Sequence, residues 1–139
     1  IPRDYEAWTA LAKRIEDPAK RPHVIAEGAG ILRARNADIA ATIAATARTM
    51  NIAGHEVPAA NVPYIWASEV GHILAAEAPF SATYFDRTDG LRQFSLLSEA
   101  GGADVSKIAA KFGGGGHEHA AGFSVPIPAD DPVKGKANV

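Results

Sequence analysis

Residues 111–123 read K-F-G-G-G-G-H-E-H-A-A-G-F. Consecutive glycines are costly in an ordered chain, because each loses more backbone freedom on folding than any other residue. Gly113 and Gly114 have a use as a helix C-cap, where positive φ is wanted. A run of four exceeds that need. A glycine-rich turn can also present several backbone N–H groups in a concave nest that draws an anion close, with no Cβ in the way. On that reading Gly114, Gly115 and Gly116 are the donors, and His117 adds a side-chain hydrogen bond. The other reading is a tight helix-to-strand turn, and composition leaves both open. His117 and His119 alternate, so on one strand both face the same side and Glu118 the other. A His-x-His pair supplies only part of a zinc coordination sphere. No acidic partner stands at fixed spacing, so no metal is expected here. The run lacks the Lys-Ser/Thr of a P-loop and follows a helical pattern rather than a first strand, which excludes both common phosphate fingerprints.

Other polar residues can complete an anion site. Arg87 and Arg92 flank a turn signal at Asp89 and Gly90, and Lys107 and Lys111 lie four apart just before the glycines. Those lysines also suit a solvated helix face and a helix C-terminus, where positive charge is favourable. Ser95 and Ser98 are an odd number apart and face opposite sides of a strand. Only one of them can therefore line the glycine side, and Ser95 is the candidate; Arg92 is the candidate cation.

The elements that must position these groups follow from periodicity. Asp4 caps a short helix carrying Tyr5, Trp8, Leu11 and Ile15. After Pro18 and Pro22 a long Ala-rich helix places Ile25, Leu32, Ile39 and Thr46 on one stripe. From residue 48 strands and helices alternate. Two short strands flank Gly54, Asn61 and Pro63 mark a helix start, and a hairpin turns at Asp89 and Gly90. Asp104 caps an amphipathic helix bearing Val105, Ile108, Ala109 and Phe112, and H-A-A-G-F-S-V forms a last strand. The expectation is an α/β fold: a mixed sheet of about five strands flanked by helices, preceded by an N-terminal helical connector. Its divisions are a connector over residues 1–46, an α/β domain over 47–127 and a polar tail over 128–139.

Bulk composition narrows the function classes. With 139 residues and a net charge of −2, the chain has room for one compact domain and no global attraction to nucleic acid or anionic membrane. Any phosphate recognition has to be local. Cysteine is absent, which excludes disulfides and thiolate metal sites and fits a cytoplasmic location. No apolar run approaches the length of a membrane span.

The pattern G-G-G-G-H-x-x-A-A-G-F after an amphipathic helix resembles the C-terminal DHH-associated domain (type 1) of DHH-family phosphoesterases. The matching text is F-S-L-L-S, then G-G-A-D-V-S-K-I-A-A-K-F, then the glycine stretch. The likeness spans roughly residues 48–126, and N-V-P-Y-I-W-A-S-E-V-G-H-I-L resembles a helix start in a phosphohydrolase branch. The resemblance implies a two-domain enzyme. Its N-terminal domain holds two metal ions, manganese or magnesium, through aspartates and a D-H-H motif. Its C-terminal domain binds the phosphate and nucleotide end of the substrate through the glycine loop and its histidine. This sequence has no D-H-H motif, and two-metal hydrolysis needs a tight carboxylate and histidine cluster. The chain is therefore expected to be the substrate-binding half, excised from a longer protein and inactive alone, with no cofactor of its own. Its partners would be the catalytic domain and a short nucleic acid, nucleotide or other phosphate. The alternative is a structural or dimerisation domain whose loop is only a turn, with a homodimer possible through a sheet edge.

One position departs from the family. Leu97 stands where the resemblance places a phosphate-binding arginine, and leucine makes no charge-assisted contact. Arg92 can substitute only if a bulge turns it, because it is an odd number of residues from Leu97. Otherwise the ligand is less charged.

Overall fold

A computed structural model describes residues 4–128, which form two compact units dividing between Ala40 and Ala41. The polar tail expected over 128–139 lies almost wholly outside the described residues.

The first unit holds α1 (Tyr5–Glu16) and most of α2 (Arg21–Thr46). Asp4 caps α1, its carboxylate accepting from Ala7 N at 2.7 Å. Arg14 and Glu27 join the two helices by an exposed ion pair of 3.3 Å. The apolar stripe on α2 is buried only at Ile39, while Ile25 and Leu32 are exposed, as are Tyr5 and Trp8 of α1. Two helices offer too little surface to cover a stripe of that length.

The second unit contains β1 (Arg48–Ile52), β2 (His55–Asn61), a 3₁₀ turn (Tyr64–Trp66), α3 (Ala67–Ala75), β3 (Ser81–Asp86), β4 (Leu91–Leu97), α4 (Val105–Ala110), β5 (Gly115–His117) and β6 (Ala120–Pro126). Ala53 and Gly54, at φ 53° and 89°, close the β1–β2 hairpin, as a two-residue turn with positive φ at both positions does. β2 and β3 are parallel, joined by the crossover through α3; the other pairings are antiparallel. The strand order is β1-β2-β3-β4-β6-β5.

The mixed sheet with flanking helices is as expected, but it has six strands rather than about five. The addition is the glycine run itself. Gly115 pairs with Gly122 and His117 with Ala120, so the end of the run is an edge strand. A turn at Glu118 and His119 separates it from β6. The two histidines therefore do not alternate along one strand.

Side-chain alternation gives the sheet two distinct faces. Tyr84, Phe94, Leu96 and Phe123 join Val105, Ile108 and Ala109 of α4 in the main core. Phe94 and Phe112 stack on Phe123 at 4.8 and 4.4 Å between ring centroids. The opposite face meets α3, where Ser81 Oγ donates to Gly71 O at 2.6 Å and Leu97 packs on Gly71.

Candidate functional site

The glycine run is two structures in sequence. Gly113, at φ 76°, ends the turn after α4: Gly113 N donates to Ala110 O at 3.1 Å and Gly114 N to Ala109 O at 3.0 Å. This pair of bonds is a Schellman closure. It also consumes the Gly114 N–H, which corrects its expected place among the ligand donors. The strand then begins at Gly115.

Steric need separates the four glycines. A Cβ at Gly114 would collide with Gly122 O and Phe123, and one at Gly116, where φ is 149°, with Ala120 O and Ala121. Gly113 needs its positive φ. Gly115 has none of these requirements, because a Cβ there would meet nothing within 4 Å. Its missing side chain leaves open space on the face of the sheet that carries Ser95.

The register fixes that face. Gly115, Gly122, Ser95 and Thr83 stand side by side across β5, β6, β4 and β3, and His117, Ala120, Leu97 and Ser81 form the next row. Residues directly opposite on antiparallel strands share a face. Over these rows lies a cleft of about 340 Å³ lined by Ala67, Ser68, Ser95, Leu97, Gly115 and Gly122 among others. It is bounded by the start of α3, by β4 and by the β5–β6 pair. The structure thus brings Ser95, Gly115 and Gly116 together. His117 shares their face by register and is exposed at the end of β5.

Arg92 does not join them. It lies on the α4 face, and the registers of β4 run unbroken, from Arg92 to Leu97 with β3 and from Leu91 to Leu97 with β6, with no bulge to turn it. Its buried guanidinium pairs with Asp86, Nε to Oδ1 at 2.7 Å and Nη2 to Oδ2 at 3.1 Å, and lies 4.9 Å over the Tyr84 ring. The expectation that Arg92 contacts the ligand is corrected accordingly. The other basic candidates are engaged elsewhere: Arg87 with Asp89 at 2.6 Å and Lys107 with Asp104 at 3.0 Å. Lys111 caps α4 on the far side of the sheet.

Sequence reasoning missed three features of the site. Ala67 and Ser68 wall the cleft, brought there by the crossover between parallel strands. Gly122 is bare because a Cβ would press on Phe94 O at 2.9 Å. His119 is exposed, as expected, yet its Nδ1 lies 3.0 Å from Ser98 Oγ, and Ser98 N donates to His119 O at 3.2 Å. Together these contacts fasten the β5–β6 turn to the end of β4.

Chemically, the arrangement offers hydroxyl and backbone hydrogen bonds in a cleft with no charged lining. Among the described residues no three His, Cys, Asp or Glu side chains come together to hold a metal. No described helix is long and apolar enough to cross a membrane.

Neither a known family model nor a curated protein matches the sequence. Among solved structures, the chain is similar to a pGpG-specific phosphodiesterase, PggH, from Vibrio cholerae, with a TM-score of 0.58 and 14% identity over 94% of this chain and 48% of that one. An uncharacterized protein from Helicobacter pylori G27 is similar over 63% of this chain and 24% of its own, with a TM-score of 0.40 and 17% identity. The chain spans about half the length of the phosphodiesterase, and at this identity what the two share is the fold.

Proposed function

We propose that this chain is the substrate-binding part of a DHH-type phosphoesterase, holding a nucleotide, a short oligonucleotide or another phosphate compound. In the full-length cytoplasmic protein an N-terminal DHH domain would hold the manganese or magnesium ions and perform the hydrolysis. The observation that carries this reading is Gly115, a glycine with no steric reason to be one, at the mouth of a cleft that Ser95 also lines. A fold shared with a pGpG-specific phosphodiesterase supports it. Ser95 offers its hydroxyl, and Gly115 and Gly116 offer the backbone of an edge strand, half of whose polar groups point away from β6. His117 donates from the rim. Arg92 serves the fold.

Titration of the isotope-labelled chain with a short oligonucleotide tests this directly by NMR. The Ser95, Gly115 and Gly116 amides are expected to shift while the Gly113 and Gly114 amides stay still. Unmoved amides at millimolar ligand would refute the reading. The chain alone is expected not to hydrolyse the oligonucleotide when manganese is added.

A second reading has its own support. Gly113, Gly114 and Gly116 are each required by the turn or by β6, as in a purely structural or dimerisation domain. Gly115 is the position at which the two readings part.

A further inference from the structure

We propose that the cleft takes the uncharged, hydroxyl-bearing end of its ligand, a terminal nucleoside carrying no phosphate. This rests on the reading that the module holds nucleotides, and it says which part of the nucleotide enters.

Charge is the first argument. The residues that line the cleft, Ser68, Ser95, Leu97 and Gly115 among them, include no ionisable side chain. A phosphate seated there would give up water for no cation, and charge-assisted bonds are the strong ones in phosphate recognition. The nearby cations lie on the other face of the sheet. Arg92 is buried there against Asp86, and Lys107 stands on α4, which packs on that face. The start of α3 does favour an anion through its aligned peptide dipoles. That attraction is opposed by Glu69 in its first turn, and Ala67 N already donates to Tyr64 O.

Hydroxyl chemistry is the second argument. Ser68 and Ser95 line the cleft. Beside Ser95 in the same row stands Thr83, 1% exposed, whose Oγ1 is buried without a hydrogen-bond partner. A buried hydroxyl left unpaired is costly. Thr83 is directed to the face that carries the cleft, and a ligand hydroxyl reaching past Ser95 would satisfy it. Size agrees: about 340 Å³ lies at the small end of ligand sites and suits one nucleoside.

The third argument is Leu97. It is fixed by contact with Gly71 and presents carbon to the cleft. An apolar floor beside the hydroxyls of Ser68 and Ser95, with Thr83 buried behind Ser95, matches a sugar and base, whose surfaces are part apolar and part hydroxylated.

The test is a binding panel on the whole chain: the four common ribonucleosides, their monophosphates and inorganic phosphate, followed by NMR at Gly115 and Gly116. At least one nucleoside is expected to bind within about fivefold of its monophosphate. Its Kd should change less than twofold between about 50 and 200 mM salt, because no counterion release accompanies neutral binding. Thr83→Val should weaken nucleoside binding by about fivefold, the worth of one hydrogen bond, while raising the melting temperature of the free chain. A monophosphate more than fivefold tighter than every nucleoside, or displacement of the nucleoside by inorganic phosphate, would overturn the proposal and leave nucleotide binding standing. If neither nucleosides nor monophosphates bind, this proposal fails, and the oligonucleotide titration alone decides the broader reading.

Discussion

Leu97 packs against the bare backbone of Gly71, so closely that a Cβ on residue 71 would overlap Leu97 Cδ1. The contact joins the end of β4 to the middle of α3, and it accounts for two sequence features at once. A glycine sits inside a helix, where it costs about 1 kcal/mol relative to alanine. A leucine occupies a position where the family resemblance expects arginine. The pair ties α3 to the sheet, and so sets the height of the wall that Ala67 and Ser68 form over Ser95.

Gly71→Ala is expected to lower stability by about 1–2 kcal/mol, the strain of overpacking exceeding the gain in helix propensity. In a Leu97→Ala background the same change should be neutral or stabilising, by up to about 1 kcal/mol. Urea unfolding of the four proteins checks it. Equal effects of Gly71→Ala in both backgrounds would show that the two residues are not coupled.

Arg92 gives a prediction that separates fold from function. Its side chain is 8% exposed and that of Asp86 38%. Asp86→Asn removes a bidentate countercharge from a buried guanidinium and should cost about 1–3 kcal/mol. The ligand-induced shifts at Ser95 and Gly115 should be unchanged in that variant, because the pair lies on the other face of the sheet. Loss of those shifts in a folded Asp86→Asn protein would place Arg92 back in the site.

The start of α4 carries a pH signature. Hydrogen bonds from Ser106, then from Lys107, hold the Asp104 carboxyl down from its ordinary 3.8 to about 2. A lowered carboxyl stabilises the fold above its unfolded value, and that contribution is lost as pH falls through the folded one. Asp104→Asn keeps an oxygen to accept from Ser106 N but cannot ionise. The wild type should therefore melt higher than the variant near neutral pH, with the gap closing between about pH 4 and about pH 2. A gap constant across that window would contradict the assignment.

Much of this was legible in the sequence because local chemistry and tertiary context agree. Gly54, and Asp89 with Gly90, marked real hairpins, and Asp4 and Asp104 marked real caps. The alternation of β4 already implied that Arg92 faces away from Leu97 unless a bulge intervenes, and the unbroken registers supply none. The glycine run was harder. Three residues, two of them glycine, have no strand propensity, and β5 exists because β6 offers it a partner and the Schellman turn aims it there. The α3 wall was illegible for another reason. Ala67 and Ser68 reach Ser95 only through a parallel crossover, which places residues nearly thirty apart in the chain on one cleft, and no local pattern records that.

On the proposed function Gly115 is bare for a ligand, while Gly114 and Gly116 are bare for the fold. Alanine substitutions at Gly114, Gly115 and Gly116, each read by melting temperature and by NMR titration with the same oligonucleotide, test it most directly. Gly114→Ala and Gly116→Ala should each cost about 2 kcal/mol or more, through collision with the β6 backbone and, at Gly116, strained φ. Gly115→Ala should leave stability unchanged or raise it by up to about 1 kcal/mol, since alanine fits there and restricts the unfolded chain. The same variant should lose most of the ligand-induced shift at Ser95. A Gly115→Ala protein as destabilised as its neighbours, or one that binds the oligonucleotide as the wild type does, would contradict the account.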